Sequence, residues 1–247
     1  MDVAILDRTA GYRGLDSWVM ACVIQLGTDA FCRKFLTRRN DPAGRLYDQM
    51  TQAARSGKAN IVEGSARSGT SKETEMKLTD VARASLSELS SDYEMWLLGK
   101  GVVPWHMDSE EAKKVLRIRF DEPHYGNDWV HDSCVHVLSQ HNKFEKWLKS
   151  DDDIAAANCL LLLVRRCIYM LYKQISRQVR EFEQGGGFRE KLTQLRVDRK
   201  MRKSDAPSCP LCGCVMYLRK AATGRNPGTE FWGCSNYPAC KGSVNIQ

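Results

Sequence analysis

The chain has 247 residues, 43% of them apolar and 27% charged, which fits a soluble protein with a core and room for a bundle-sized domain plus a small appendage. Its net charge of +7 is uneven: residues 1–184 hold 26 basic and 26 acidic side chains, whereas residues 185–247 hold 11 and 4. A neutral body with a basic end excludes a uniformly cationic protein and points the tail towards a polyanion.

Residues 1–13 have no clear period and lack the basic start and long apolar run of a signal peptide. From Leu15 the spacing becomes helical, with Val19, Cys22, Ile24, Leu26, Ala30 and Phe35 as the apolar stripe. Asp41-Pro42 restarts the chain, with Asp41 as a cap and Pro42 as the first helical residue of a helix over 43–63. Gly64 to Gly69 breaks that helix, and Thr70-Ser-Lys-Glu73 has the spacing of a capping box that launches a third. There Leu78, Ala82, Ser85, Leu89, Tyr93 and Trp96 fall close to a heptad stripe, and Gly99 and Gly101 end the pattern.

Residues 102–153 are less regular, with a short helix after Asp108 and another over 128–149. All five histidines, His106, His124, His131, His136 and His141, lie here without the four-residue spacing of a helical metal site, and they read as polar surface or partly buried groups. Asp151-Asp-Asp153 caps a fourth long helix that ends at Gly185-Gly-Gly187. Its most apolar part, residues 154–172, is interrupted by Asn158, Arg165 and Arg166, a pattern that a membrane span does not tolerate. The expectation is a cytoplasmic protein with no membrane partner. The fold class expected is mainly α: an up-down four-helix bundle over 1–187, with a helical insertion at 102–153, followed by a small β zinc ribbon.

After the glycines, residues 188–207 combine a helical apolar spacing with seven cations and then a short proline-containing linker. Arg199, Lys200, Arg202 and Lys203 are its candidate phosphate contacts. In residues 208–247, Cys209, Cys212, Cys234 and Cys240 form two close pairs, each on a tight turn that can converge with the other on one tetrahedral site. Four thiolates suit one structural zinc ion, and so small a segment needs such a staple to fold. Cys214, two residues beyond a ligand, is read as a non-ligand on the next strand. The scattered Cys22, Cys32, Cys134, Cys159 and Cys167 have no pairing logic and read as reduced thiols of the helical core.

The run Cys209-Pro-Leu-Cys212-Gly213, with Met216, Arg219 and Gly228, then Phe231-Trp232-Gly233-Cys234-Ser-Asn-Tyr237-Pro-Ala-Cys240, resembles the C-terminal zinc ribbon of type IA bacterial DNA topoisomerases over about residues 208–243. The resemblance implies a DNA-binding module that prefers single strands. Phe231, Trp232 and Tyr237 become candidate stacking residues, and Arg219, Lys220, Arg225 and Lys241 candidate phosphate contacts. Phe231 or Trp232 can instead pack the ribbon's own small core. Topoisomerase chemistry itself is not implied, because it needs a nucleophilic tyrosine and an acidic metal-binding domain on a far longer chain.

A second resemblance rests on Asn60-Ile-Val-Glu63-Gly64, preceded by Gln49-Met-Thr-Gln52-Ala-Ala54 and followed by Lys72-Glu73 and Leu86-Ser-Glu-Leu89. These residues resemble the four-helix-bundle proteins encoded in ribosomal RNA intervening sequences and the accessory variability proteins of diversity-generating retroelements, over residues 12–100 and 154–184. The resemblance implies a non-enzymatic homo-oligomer, assembled as a ring, that binds nucleic acid or a reverse transcriptase. The insertion and the appended ribbon depart from it and fit a suffixed subgroup. Read from the residues alone, Asn60, Glu63 and Gly64 close a helix, with Gly64 allowing a positive φ at its end. Together these features predict a non-enzymatic nucleic-acid-binding protein, DNA favoured over RNA, or alternatively a scaffold for a protein such as a reverse transcriptase.

Overall fold

A computed structural model of the chain describes residues 11–185, 206–221 and 228–245. It is mainly helical, with one three-stranded antiparallel sheet near the C-terminus, and it divides into a helical unit and a C-terminal unit at residues 188/189. The expected basic segment, with Arg199, Lys200, Arg202 and Lys203, and the expected contact Arg225 lie outside the described residues.

Seven α-helices are found among the described residues: α1 (Asp16–Phe35), α2 (Arg45–Arg67), α3 (Lys72–Gly99), α4 (Glu110–Arg117), α5 (Trp129–Asn142), α6 (Glu145–Leu148) and α7 (Asp153–Gly185). The four long ones share a core: α1 packs on α2 and α7, and α3 packs on the same two. Glu94 meets Arg165 near one end of the α3–α7 pair, and Glu75 meets Gln178 near the other, so those helices run in opposite directions. The three short helices cover the outside, α5 on α1, α4 on α7, and α6 on both.

Local chemistry explains the helix starts. The Ser71 hydroxyl accepts from Thr74 N–H and caps α3, while Asp152 Oδ1 accepts from Ile154 and Ala155 N–H and caps α7. At α2 the outcome differs from the expectation. Asp41 does bond the first turn, through Leu46 and Tyr47 N–H, but it does so from outside: Gly44, at φ 66°, turns the chain and the helix starts at Arg45. Pro42 belongs to that turn and not to the helix.

The core is anchored by Tyr93, which has no solvent exposure, donates its hydroxyl to Thr28 Oγ1 at 2.9 Å and packs edge-on against Phe31. Such an aromatic pair contributes about 0.5–1.5 kcal/mol beyond its buried area. Between α2 and α3 the fit depends on glycine. A Cβ on Gly57 would stand 2.8 Å from two Leu86 carbons, and one on Gly64 would stand 3.3 Å from Leu78 Cβ and Glu75 O. Gly64 is therefore a close-contact residue inside α2. It is not a helix end: its φ is not positive, and the helix continues to Arg67. Asn60, likewise mid-helix, donates back to Ser56 O at 2.9 Å.

The apolar run of α7 is long enough to cross a membrane by length and composition, and most of it is buried inside the helical unit. The polar residues that interrupt the run have partners there. Asn158, 1% exposed, accepts from Trp105 N–H at 2.7 Å, Arg165 pairs with Glu94 at 3.1 Å, and Arg166 donates to Ile118 O at 2.6 Å. Asn158 and Arg166 thereby fasten the segment 102–153 to α7.

Among the scattered cysteines, Cys32, Cys159 and Cys167 are buried, Cys22 is half-buried and Cys134 is exposed. Burial pushes the Cys22 and Cys32 thiols up to about 12 and raises Cys159 and Cys167 as well, so these four are inert thiols at neutral pH. His106, His124 and His131 are exposed, and His136 and His141 are half-buried.

Candidate metal centre and basic aromatic face

The C-terminal sheet has the order β1–β2–β3, with β1 (Met216–Lys220), β2 (Glu230–Cys234) and β3 (Ser243–Asn245). Met216 pairs with Cys234 and Lys220 with Glu230, so the end of the sheet next to the cysteine turns is the Met216–Cys234 end. Cys209 and Cys212 lie on the turn before β1, Cys234 closes β2, and Cys240 ends the turn that leads to β3. The first turn is held by Cys209 N–H donating to Cys214 O and Gly213 N–H donating to Cys209 O, both at 2.8 Å. In the second, Cys240 N–H donates to Asn236 O at 2.9 Å, and the Tyr237–Pro238 peptide is cis.

These turns bring four sulfurs together. Cys209 and Cys240 Sγ are 3.7 Å apart, Cys212 and Cys234 Sγ are 3.4 Å apart, and all four lie within 4.8 Å of one another. None is in a disulfide. A tetrahedral ion with metal–sulfur bonds of about 2.3 Å separates its ligands by about 3.8 Å, so the spacing suits one ion. Among the described residues, this is the one cluster of histidine, cysteine and carboxylate groups arranged to hold a metal.

The surroundings fit such an ion as well. Backbone N–H groups point at the sulfurs, with Asn236 N–H 3.4 Å from Cys234 Sγ, and those of Cys214 and Gly242 bonded to Cys212 and Cys240. The Cys214 N–H, followed by the Cys234 and Cys240 thiols, lowers Cys212 to about 6. Around Cys234 the Asn236 N–H works in the same direction, but burial and the neighbouring thiols outweigh it and push that thiol up to about 12. One thiolate forms readily and further ones crowd it, so a full set of thiolates requires a cation among them. Gly242 completes the cradle. A Cβ there would overlap Cys209 Sγ, while its carbonyl accepts from Cys234 N–H at 3.0 Å. The alternation of ligands in the sequence gives no sign of this glycine; only the closeness of its backbone to sulfur reveals it.

The two sheet faces have different characters. Trp232, Cys240 and Val244 pack against buried Cys209, Met216 and Cys234. Of the three aromatics expected to stack on bases, Trp232 is thus the one that serves the ribbon's own core. On the other face, Arg219 pairs across from Phe231 and Tyr217 across from Gly233. Arg219 lies over Gly233, where a Cβ would be 2.9 Å from Arg219 Cδ; it reaches Cys234 O at 3.4 Å and lies 5.3 Å from the centre of the Tyr237 ring. Tyr217 and Tyr237 are 52% and 58% exposed, and Phe231 is half-buried. Three rings and a guanidinium therefore share one face. Tyr217 was absent from the expected site although the two-residue period of a strand already puts it beside Arg219.

The remaining expected contacts are placed less distinctively. Lys220 is 3.6 Å from Glu230 across the β1–β2 pair, and Lys241 is exposed between Cys240 and Gly242. No protein-family model, curated protein or solved structure matches this chain.

Proposed function

We propose that residues 208–247 form a zinc ribbon that binds nucleic acid, single-stranded DNA above all, and that the protein acts by binding and not by catalysis. The observation that carries this reading is the sheet face on which Tyr217, Phe231, Tyr237 and Arg219 stand together, held by the four-sulfur site. Exposed rings offer stacking to any base at about 1–3 kcal/mol each, and the guanidinium adds a phosphate contact that can also stack. The basic excess of residues 185–247 supplies the attraction that such a face needs. Zinc is the ion proposed because four thiolates and a closed tetrahedron match a structural, redox-silent ion.

The helical unit is read as an up-down four-helix bundle of α1, α2, α3 and α7 with an inserted cover of α4 to α6, self-associating and cytoplasmic. The test has two arms. Elemental analysis of the purified protein should return one zinc per chain. Fluorescence anisotropy with a labelled single-stranded oligonucleotide should show binding that weakens steeply with salt and is lost when residues 188–247 are deleted. Unchanged affinity in the deletion would move the binding site elsewhere.

One further observation favours a second reading, a scaffold for a protein partner such as a reverse transcriptase. Along α5, Trp129, Val130, Val135 and Leu138 are each at least 50% exposed, an unusual apolar outer face for a soluble helix. A protein that co-purifies after nuclease treatment and tail deletion would support it.

A further inference from the structure

The register of the ribbon sheet puts three residues in one row across its open face. Arg219 pairs with Phe231, and Phe231 pairs in turn with Asn245. The adjacent row is Leu218, Trp232 and Val244, of which Trp232 and Val244 pack on the metal side. Strand alternation therefore sends Phe231 and Asn245 together to the opposite, open side. Directly paired residues hold their Cβ atoms about 4.5–5.5 Å apart, so Asn245 borders the Phe231 ring. Asn245 is exposed, and its side-chain amide has no hydrogen-bond partner among the described residues.

Arg219, on the other flank of the ring, is already engaged. Its stem lies over Gly233, and its guanidinium reaches Cys234 O at 3.4 Å and stands over the Tyr237 ring. The cation is thereby carried into the next row, which holds Tyr217, Gly233 and Ser243. Of the Phe231 row, Asn245 is the member that keeps both a donor and an acceptor free.

We propose that Asn245 reads the edge of a base stacked on Phe231 and selects adenine through its N6 and N7 atoms. The inference rests on single-strand binding by the ribbon and adds a base preference to it. A ring stacks on any base, because every base has a π-face, so Phe231 by itself makes no choice. The amide beside it does. The Asn245 side-chain oxygen accepts from adenine N6–H while its NH2 donates to adenine N7, two bonds made at once. On the same edge guanine offers two acceptors, cytosine one donor, and thymine one acceptor beside a methyl group. None of these satisfies both halves of the amide. Tyr217 and Tyr237 are left to hold flanking nucleotides without regard to sequence.

The test uses the full-length protein and oligothymidine probes that carry a central run of A, C, G or T. Affinities are measured by fluorescence anisotropy at a single salt concentration. The wild type should bind the adenine probe about 5- to 150-fold more tightly than the thymine probe, the span of one good bidentate contact. Asn245→Ala should bring the adenine probe down to the level of the others and leave thymine affinity unchanged. A probe with 7-deazaadenine, which lacks N7, should lose the advantage in the wild type, with no substitution in the protein. Equal affinity of the wild type for all four probes overturns the proposal, and so does an adenine preference that survives either change. Both results leave single-strand binding standing. A uniform loss across all probes in N245A makes Asn245 a structural residue of β3 and overturns the proposal too. Failure of the wild type to bind any probe overturns the single-strand assignment itself, and this inference with it.

Discussion

The Arg219 guanidinium sits 5.3 Å from the centre of the Tyr237 ring while reaching the carbonyl of the metal-site residue Cys234 at 3.4 Å. One side chain thus ties the exposed face to the turn that carries a sulfur ligand. Replacing Arg219 with alanine removes both a cation and the stiffening of Tyr237. On the proposed reading, Arg219→Ala and Tyr237→Ala should each weaken single-strand binding by about 1–3 kcal/mol, seen as a rise in Kd by anisotropy. Arg219→Lys keeps the charge but not the planar fork, and should recover only part of the loss. Trp232→Phe, on the opposite face, should leave the salt dependence of binding unchanged.

The double substitution Cys209→Ser and Cys234→Ser removes two candidate ligands that are also two of the three buried hydrophobic side chains of the ribbon core among the described residues. It should abolish metal binding and unfold the tail, because metal-coupled folding of small thiolate sites is worth about 10–16 kcal/mol. Circular dichroism should show the helical signal essentially intact, since α1 to α7 all belong to the helical unit. A parallel collapse of helicity would contradict the division into two units.

Gly242→Ala puts a methyl group where Cys209 Sγ stands and disturbs the carbonyl that accepts from Cys234 N–H. Metal affinity should fall about 10–100-fold, the range seen when outer partners of a metal site are altered. Competition with a chelator of known affinity measures this directly, and an unchanged affinity would mean that the turn can move aside.

Asn158→Ala takes from the half-buried Trp105 N–H its acceptor, a side chain only 1% exposed. An unpaired buried donor costs about 1–3 kcal/mol, so the urea midpoint should drop while the slope stays constant. Faster proteolysis within residues 102–128 should accompany it.

Acid should also weaken the helical unit. Burial, ahead of the charges around them, lowers His136 and His141 below the ordinary value of 6.5. Above 6.5 both the folded and unfolded chains keep these rings neutral. As pH falls through 6.5 the unfolded chain binds protons first, and stability declines. Urea midpoints at pH 7.5 and 5.5 should differ in that sense, and the difference should shrink in His141→Gln.

The features legible in the sequence were those set by short-range chemistry. Asp152, inside the expected Asp151–Asp153 cap, does cap α7, and the cysteine spacing alone foretold the meeting of four sulfurs. The box expected from Thr70 to Glu73 falls one residue later, with Ser71 accepting from Thr74 N–H. Features set by packing were not legible. The segment 128–149 reads as one helix, but Phe144 buries its ring completely, facing Phe120, and the chain breaks there into α5 and α6. Gly64 looks like a helix stop until α3 is seen pressed against it. Similarly, Phe231 and Trp232 are equivalent in the sequence, and only the register of β2 between its neighbours sends one to the metal side and the other to the open face.

In the ribbon, the candidate ligand set and the apolar core are very nearly the same object, since Cys209, Met216 and Cys234 are its buried hydrophobic side chains among the described residues. On the proposed assignment, its folded population is therefore governed by mass action. Each tenfold rise in free ion above the dissociation constant adds about 1.4 kcal/mol to its stability, and each fall removes as much. The tail then reports the chemical potential of the metal around it, and the helical unit is spared that dependence.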